Sequence, residues 1–160
     1  MRSYVNLPIC IVAASFWAPP LMAHEAKHTG HHAFSAGEPG DPKRPARTVE
    51  VAMGRRGSVM YFRPDVVEVK KGEQIRFVLK NEDQVRDHEF VLATAKENLE
   101  HAEEMKKNPD MPHNDPNGRR LSANENKELL WRFTQAGEFE FSCNLPGHRE
   151  AGMVGKAIVK

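Results

Sequence analysis

The sequence has little cysteine and no marked excess of charge of either sign. Cys10 and Cys143 are the only cysteines among its 160 residues. The 23 basic and 22 acidic residues leave a formal net charge of +1, which gives no indication of nucleic-acid binding. An apolar stretch near the N-terminus is too short to span a bilayer as a helix. These absences leave a chain whose length fits one domain with a modest apolar core.

The first 23 residues predict a secretory signal peptide. Arg2 precedes an apolar stretch from Leu7 to Trp17, and Ala23 offers a small residue at the cleavage position. We therefore expect a periplasmic chain that starts near His24 and has no membrane anchor after cleavage. Its single cysteine is then Cys143, which cannot form an internal disulfide, so this thiol needs another explanation.

Residues 24–47 predict a flexible, histidine-rich arm, because they lack apolar periodicity and are rich in Gly, Pro and charge. We expect little regular structure before Thr48. A second, weaker metal site is a further hypothesis. Imidazoles bind Cu(II), Ni(II) or Zn(II), and thioethers suit Cu(I). Its candidate ligands are His24, His28, His31, His32, Met111 and His113.

From residue 48 onward, alternation of apolar and polar residues predicts short β-strands. Ile75, Phe77 and Leu79 share one face of such a strand, as do Phe139, Phe141 and Cys143 of a later one. Several short strands with regular turns are typical of an all-β sandwich or barrel. Residues 48–160 are therefore predicted to form one all-β domain.

One helix interrupts the strands. Thr94 and Glu97 form a capping-box pattern, and Asn108-Pro109 is expected to end the helix. Helical periodicity places Ala95, Leu99, Ala102 and Met105 near one face, with Lys106 as an alternative to Met105. Residues 108–127 are rich in turn formers and are predicted to be a surface loop.

The pattern Cys143-x4-His148-x4-Met153 carries most of the functional information. It places a thiolate, an imidazole and a thioether within eleven residues. A type 1 (blue) copper centre is built from two His and one Cys in a trigonal plane, with a weak axial Met. The loop supplies three of these four ligands, and Pro146-Gly147 provides the turn that brings His148 back to the metal. The motif therefore predicts one type 1 copper per chain.

The fourth ligand must come from elsewhere in the sequence. His88, fifty-five residues before Cys143, is the best-placed candidate because a short strand follows it. His101 on the predicted helix and His113 in the following loop are the less suitable alternatives.

Residues 48–160 resemble the cupredoxins, the plastocyanin/azurin superfamily. The matching positions beyond the ligand loop are Phe62-x-Pro64, Val69, Gly72, Phe77, Asn81, His88 and Gly137-Glu-Phe139. The loop spacing is similar to that of rusticyanin and auracyanin, and the longer chain, His-rich arm and inserted helix are similar to periplasmic cupredoxins of copper tolerance. The resemblance implies a Greek-key β-sandwich and copper bound by His88, Cys143, His148 and Met153.

The chain departs from the family pattern directly after His88. Many cupredoxins have Asn or Ser there, and that side chain ties the two ligand segments together. Glu89 occupies the position in this sequence.

Copper binding in the periplasm for copper tolerance is the leading functional hypothesis, because the His-rich arm offers further ligands. The alternative is one-electron transfer between periplasmic redox proteins such as c-type cytochromes; copper-handling proteins are the partners expected for tolerance. A copper enzyme needs a second, catalytic copper with its own histidine pairs. The domain has no His-x-His motif and only four histidines after residue 47, so we expect no enzymatic activity.

Overall fold

The computed structural model describes residues 34–111 and 115–160. The predicted signal peptide 1–23 lies outside the described residues. So do five of the candidate ligands for a second metal site, namely His24, His28, His31, His32 and His113. The predicted export and most of the predicted second site therefore remain predictions.

Two five-stranded sheets form the described part of the chain, which confirms the expected all-β sandwich. The first contains, in spatial order, β1 (Glu38–Pro39), β8 (Asn126–Arg132), β5 (Gln74–Asn81), β2 (Arg47–Arg56) and β3 (Val59–Arg63). The second contains β4 (Val66–Val69), β10 (Val154–Val159), β9 (Gly137–Ser142), β6 (His88–Ala93) and β7 (Gly118–Leu121). Pairing is antiparallel except for the parallel pairs β2–β5 and β4–β10.

An aromatic cluster fills the space between the sheets. Phe90 stacks on Phe141 with ring centroids 5.0 Å apart, and Phe62 packs edge-on against both. Phe77 contacts Phe90 from the opposite sheet, as alternation along β5 predicted. Cys143 belongs to the same buried cluster, because it lies two residues after Phe141, just beyond the end of β9, and keeps the inward direction of that strand. The core thus continues directly into the predicted ligand loop.

Regular structure begins earlier than the expected start at Thr48. Ala36 is fully buried, and its carbonyl oxygen accepts a hydrogen bond from Trp131 Nε1 at 3.1 Å. The Phe34 ring packs edge-on against Trp131, and β1 pairs with β8. The sequence pattern missed this packing because a two-residue strand and single apolar contacts produce no periodicity. Residues 34–47 therefore pack on the sandwich.

Helix α1 (Ala95–Lys107) has the predicted capping box at Thr94 and Glu97 and ends at Asn108. Ala102 and Met105 are buried as predicted. The predictions for Ala95 and Leu99 are wrong, since both are exposed, whereas Asn98 is fully buried. The Asn98 side chain is satisfied by hydrogen bonds to the carbonyl oxygens of Val91 and Glu140. Within the described ranges, no helix is long and apolar enough to cross a membrane.

The segment 108–127, predicted as a surface loop, contains one whole strand and the start of β8 at Asn126. Residues 118–121 pair with residues 88–91 as β7 at the edge of the second sheet. The strand was not predicted because Gly118-Arg-Arg-Leu121 is short and charged; it is set by pairing with β6 rather than by its own periodicity.

Candidate metal centre

Three of the four predicted ligands converge at one end of the sandwich. His88 Nδ1 lies 3.3 Å from His148 Nδ1, and Cys143 Sγ lies 3.2 Å from the same His148 nitrogen. The three ligand atoms all lie within 4.8 Å of one another, and each residue is buried. No other group of three or more His, Cys, Asp or Glu side chains suited to a metal occurs in the described part of the chain.

Backbone hydrogen bonds shape the C-terminal loop around this point. Cys143 N donates to Met153 O at 3.1 Å, and Met153 N donates to His148 O at 3.1 Å. Gly147 and Gly152 have φ values of +83° and +98°, a region that favours glycine and lets the chain turn twice. The loop therefore holds the backbone of Cys143 close to that of His148. Met153 is fully buried, and its backbone forms a hydrogen bond with each of them.

His88 reaches the site from β6, an interior strand of the second sheet between β9 and β7. Pairing with Leu121 on β7 fixes its backbone, and β6 also pairs with β9. The segment before it is braced by Asn81, whose side-chain amide donates to the carbonyl oxygens of Arg86 and Ser122. His101 lies on α1 with its Nε2 3.8 Å from Glu89 Oε1, outside the cluster of three donors. The structure thus brings His88, and not His101, to Cys143 and His148.

Burial sets the protonation of the three donors in the metal-free protein. It raises the pKa of the Cys143 thiol, and the nearby Glu89 carboxylate adds to the rise. Burial also lowers the pKa of His88, and burial together with His88 lowers that of His148 to about 4. Both imidazoles are therefore neutral and able to bind a metal at neutral pH, whereas the thiol must release its proton to do so.

Glu89 ties the two ligand segments together although it is neither Asn nor Ser. Its backbone N–H donates to Cys143 Sγ at 3.3 Å, and its Oε1 accepts from the Asn144 N–H at 2.9 Å. The side chain is 1% exposed, and burial raises its pKa to about 7. A carboxylate thus provides the link between loops that the family pattern assigns to a smaller side chain.

Helix α1 supports the residue after Cys143. Asn144 Nδ2 donates to Asn98 Oδ1 at 3.2 Å, and Asn144 Oδ1 accepts from Ser142 Oγ at 2.6 Å. All three polar side chains are almost completely buried. Strand alternation places Ser142 and Asn144 on the face opposite Phe141 and Cys143, so sequence reasoning missed that Asn98 of α1 covers this face.

Of the candidate ligands for the second site, only Met111 lies among the described residues. Met111 is partly buried and packs against the apolar core. Met53 and Met60 are buried in the core.

The fold and the donor set together define a copper protein of the cupredoxin type. Residues 49–160 match the model of the family described as copper binding proteins, plastocyanin/azurin family. The chain belongs to this family.

Similar proteins extend the comparison to the whole chain. It is 41% identical to a "Copper-resistant cuproprotein CopI" of Rubrivivax gelatinosus, over 100% of both chains. It is 34% identical to a protein of the same description from Pseudomonas aeruginosa, over 88% of this chain and 91% of the other. Among solved structures, auracyanin B has a TM-score of 0.61 at 23% identity, covering 78% of this chain and 96% of auracyanin B. That structural likeness supports the fold.

The described donors fit copper. A thiolate is a soft ligand, imidazole suits copper, and two imidazoles with one thiolate form the equatorial set of a type 1 centre. His88 Nδ1, His148 Nδ1 and Cys143 Sγ already face one point. When bound there, copper supplies a one-electron couple between Cu(I) and Cu(II).

Proposed function

We propose that this chain is a periplasmic type 1 copper protein that acts in copper tolerance without catalysing a reaction. The observation that supports this proposal most strongly is the convergence of His88 Nδ1, His148 Nδ1 and Cys143 Sγ, three atoms of buried residues that lie within 4.8 Å of one another. Met153, fully buried beside them, is the proposed axial ligand. One copper per chain is the proposed stoichiometry.

The proposed role in tolerance rests on the relatives rather than on the site. Two relatives that match over most of their length are each described as a copper-resistant cuproprotein. The histidines of residues 24–32 add ligands that an electron carrier does not need. In this proposal the chain lowers the free copper concentration outside the cytoplasm, and its partners are other copper-handling proteins.

Electron transfer is the alternative use of the same site. His148 is 9% exposed and directly follows the exposed residues Pro146 and Gly147, so one ligand lies near the surface. A closed, preformed donor set needs little rearrangement between the two copper oxidation states. Under this alternative the partners are periplasmic redox proteins such as c-type cytochromes.

Growth of a deletion strain in rising copper concentrations tests the choice. We expect the intact gene to restore tolerance, Cys143→Ser to fail, and Met60→Leu, a volume-conserving change of a core methionine, to restore it. Full tolerance with the Cys143→Ser variant would contradict a role for the site in tolerance. Unchanged tolerance in the deletion strain itself, together with a respiratory defect, would favour electron transfer.

The histidine-rich segment needs a separate variant. Because residues 34–47 pack on the sandwich, the deletion should remove residues 24–33 only. We expect this shortened chain to keep one tightly bound copper and to lose weaker Cu(II) binding, whose affinity in the full chain falls below about pH 6 as imidazoles protonate. Equal stoichiometry for the two chains would contradict the second site.

A further inference from the structure

The imidazole of His88 has two nitrogens, and the second one faces a buried carboxylate. Nδ1 is directed at the metal position, while Nε2 lies 3.6 Å from Asp83 Oδ2. The His88 side chain is fully buried, and the Asp83 side chain is 5% exposed. In residues 34–111 and 115–160, neither Nε2 nor Oδ2 has a hydrogen-bond partner. Two buried polar atoms of complementary kind thus face each other.

The two oxygens of Asp83 have different surroundings. Oδ1 accepts a hydrogen bond from the Val85 N–H at 3.1 Å, which shapes the turn before His88. Oδ2 points instead towards His88 and towards Arg55, whose Nε is 3.6 Å away. The Arg55 side chain is 39% exposed, so solvent screens its ion pair with Asp83. The His88 imidazole is therefore the buried group that Asp83 Oδ2 faces.

The backbone of Asp83 holds the carboxylate in place. Its N–H donates to Asn81 Oδ1 at 3.0 Å, and its carbonyl oxygen accepts from the Asn124 N–H at 3.1 Å. Asn81 also braces the segment that leads to His88. One hydrogen-bonded loop thus positions both the Asp83 carboxylate and the His88 imidazole. The same hydrogen bonds resist movement of either group.

A neutral imidazole carries its proton on one nitrogen, and the other nitrogen is the lone-pair donor. A carboxylate beside Nε2 favours the tautomer with the proton on Nε2, which leaves the Nδ1 lone pair free for a metal. At 3.6 Å the contact is electrostatic rather than a short hydrogen bond. An ionised carboxylate also makes the imidazole a stronger donor and favours the divalent metal over the monovalent one.

We propose that Asp83 is a positioning residue that sets the tautomer and orientation of His88 for copper. The inference deepens the proposed function and rests on it where copper is concerned. Asp83 does not contact the metal position in this account; it acts through the His88 ring alone.

Asp83→Asn is the most specific variant for this test. The Asn side chain can keep an oxygen directed at the Val85 N–H, while an amide nitrogen replaces Oδ2. Asp87→Asn is the matched control. Asp87 is next to His88 in sequence, but its side chain is 41% exposed and pairs with Arg120 at 3.2 Å. Each variant loses one negative charge. The charge of Asp83 is buried against the His88 ring, whereas that of Asp87 is not.

The first measurement is imidazole nitrogen NMR of the metal-free wild-type chain at about pH 8, above the ordinary His pKa. We expect His88 to carry its proton on Nε2 in the wild type and in Asp87→Asn. We expect that preference to be lost in Asp83→Asn. A wild-type His88 protonated on Nδ1 would overturn the inference, even if Asp83→Asn fails to fold.

The second measurement is Cu(II) affinity and reduction potential of the three copper-loaded chains. We expect Asp83→Asn to lower Cu(II) affinity by about 10- to 100-fold and to raise the potential, with little change in Asp87→Asn. Equal changes in both variants would overturn the inference. A wild-type chain that has the Nε2 proton but binds no copper would contradict the proposed function and support the positioning of His88.

Discussion

The two ligand-bearing segments reach the metal centre in different ways. The C-terminal loop places Cys143 and His148 five residues apart and fixes them through its own backbone hydrogen bonds. His88 comes from a strand far earlier in the chain and is held by sheet pairing and by a separate braced turn. The loop is therefore a local structure, whereas the position of His88 depends on the whole sandwich.

This difference also appears in exposure and in polar surroundings. His148 is 9% exposed at the end of the sandwich, while His88 is fully buried with Asp83 and Glu89 close by. A local loop can present a ligand near solvent, because hydrogen bonds within its own backbone shape the turns around that ligand. A remote ligand in the interior needs neighbouring polar groups to fix its ring, since a buried imidazole without a partner is costly. Perturbing each segment should therefore give distinguishable results.

The largest effect is expected from Cys143→Ser. The change keeps the size of the side chain and removes the soft donor, so copper affinity should fall strongly and the intense visible band should disappear. Visible absorption and copper binding of the variant provide the check. An unchanged band in Cys143→Ser would show that the thiol is not a ligand.

Glycine substitutions of the two histidines sharpen the comparison directly. His88→Gly and His148→Gly should each lose the visible band, because each removes an equatorial donor. Added imidazole should restore the band more readily in His148→Gly, since that position is nearer the surface than fully buried His88. His101→Ala should keep the band in the absence of imidazole.

Absorption spectra at increasing imidazole concentration measure this difference. Equal recovery in the two glycine variants would contradict the distinction between a surface ligand and an interior one. Loss of the band in His101→Ala with an unchanged band in His88→Gly would reverse the choice of the remote ligand.

Glu89 joins the two segments and should make their stability depend on pH. Its folded-state pKa of about 7 lies above the ordinary 4.5. Between these two values the folded protein therefore holds more protons than the unfolded one. The contribution of Glu89 to the free energy of unfolding is full below about pH 4.5 and is lost as pH rises through about 7. In the metal-free protein, the free energy of unfolding of Glu89→Gln relative to that of the wild type should rise by on the order of 2 kcal/mol from about pH 5 to about pH 8.

Denaturant unfolding of both metal-free chains at the two pH values tests this expectation. The His148 pKa is lowered to about 4, which makes stability rise between that value and about 6.5. This opposite trend is present in both chains and cancels in the comparison. Parallel pH profiles for the wild type and Glu89→Gln would contradict a buried, titrating Glu89.

The smallest effect is expected from Met153→Gln. An axial ligand tunes the centre rather than holding it, so copper and colour should remain. The reduction potential should fall, because an oxygen donor favours Cu(II) over Cu(I). Voltammetry of the wild type and the variant gives the shift. Complete loss of copper in Met153→Gln would indicate that the thioether is a principal ligand or that the loop depends on it.

The sandwich and the C-terminal loop could be predicted from the sequence because their signals are local. Alternation identified β5 and β9, and fixed spacing identified Cys143, His148 and Met153 as candidates. Asn98 was missed in favour of Leu99, because hydrophobic periodicity cannot anticipate a polar side chain satisfied by three hydrogen bonds. β7 had no local signal, since it is defined by pairing with a strand distant in sequence. Asp83 is close to His88 in sequence, but no periodicity marks a carboxylate that faces a ligand imidazole.

Titration of the wild-type chain with Cu(II), followed by visible absorption, tests the central claim most directly. The chain should begin after residue 23, and a second sample should lack residues 24–33 as well. We expect an intense thiolate-to-copper band that saturates at one copper per chain in both samples. Tightly bound copper without such a band, or a band that continues to grow beyond one copper per chain, would contradict a single type 1 centre formed by His88, Cys143, His148 and Met153.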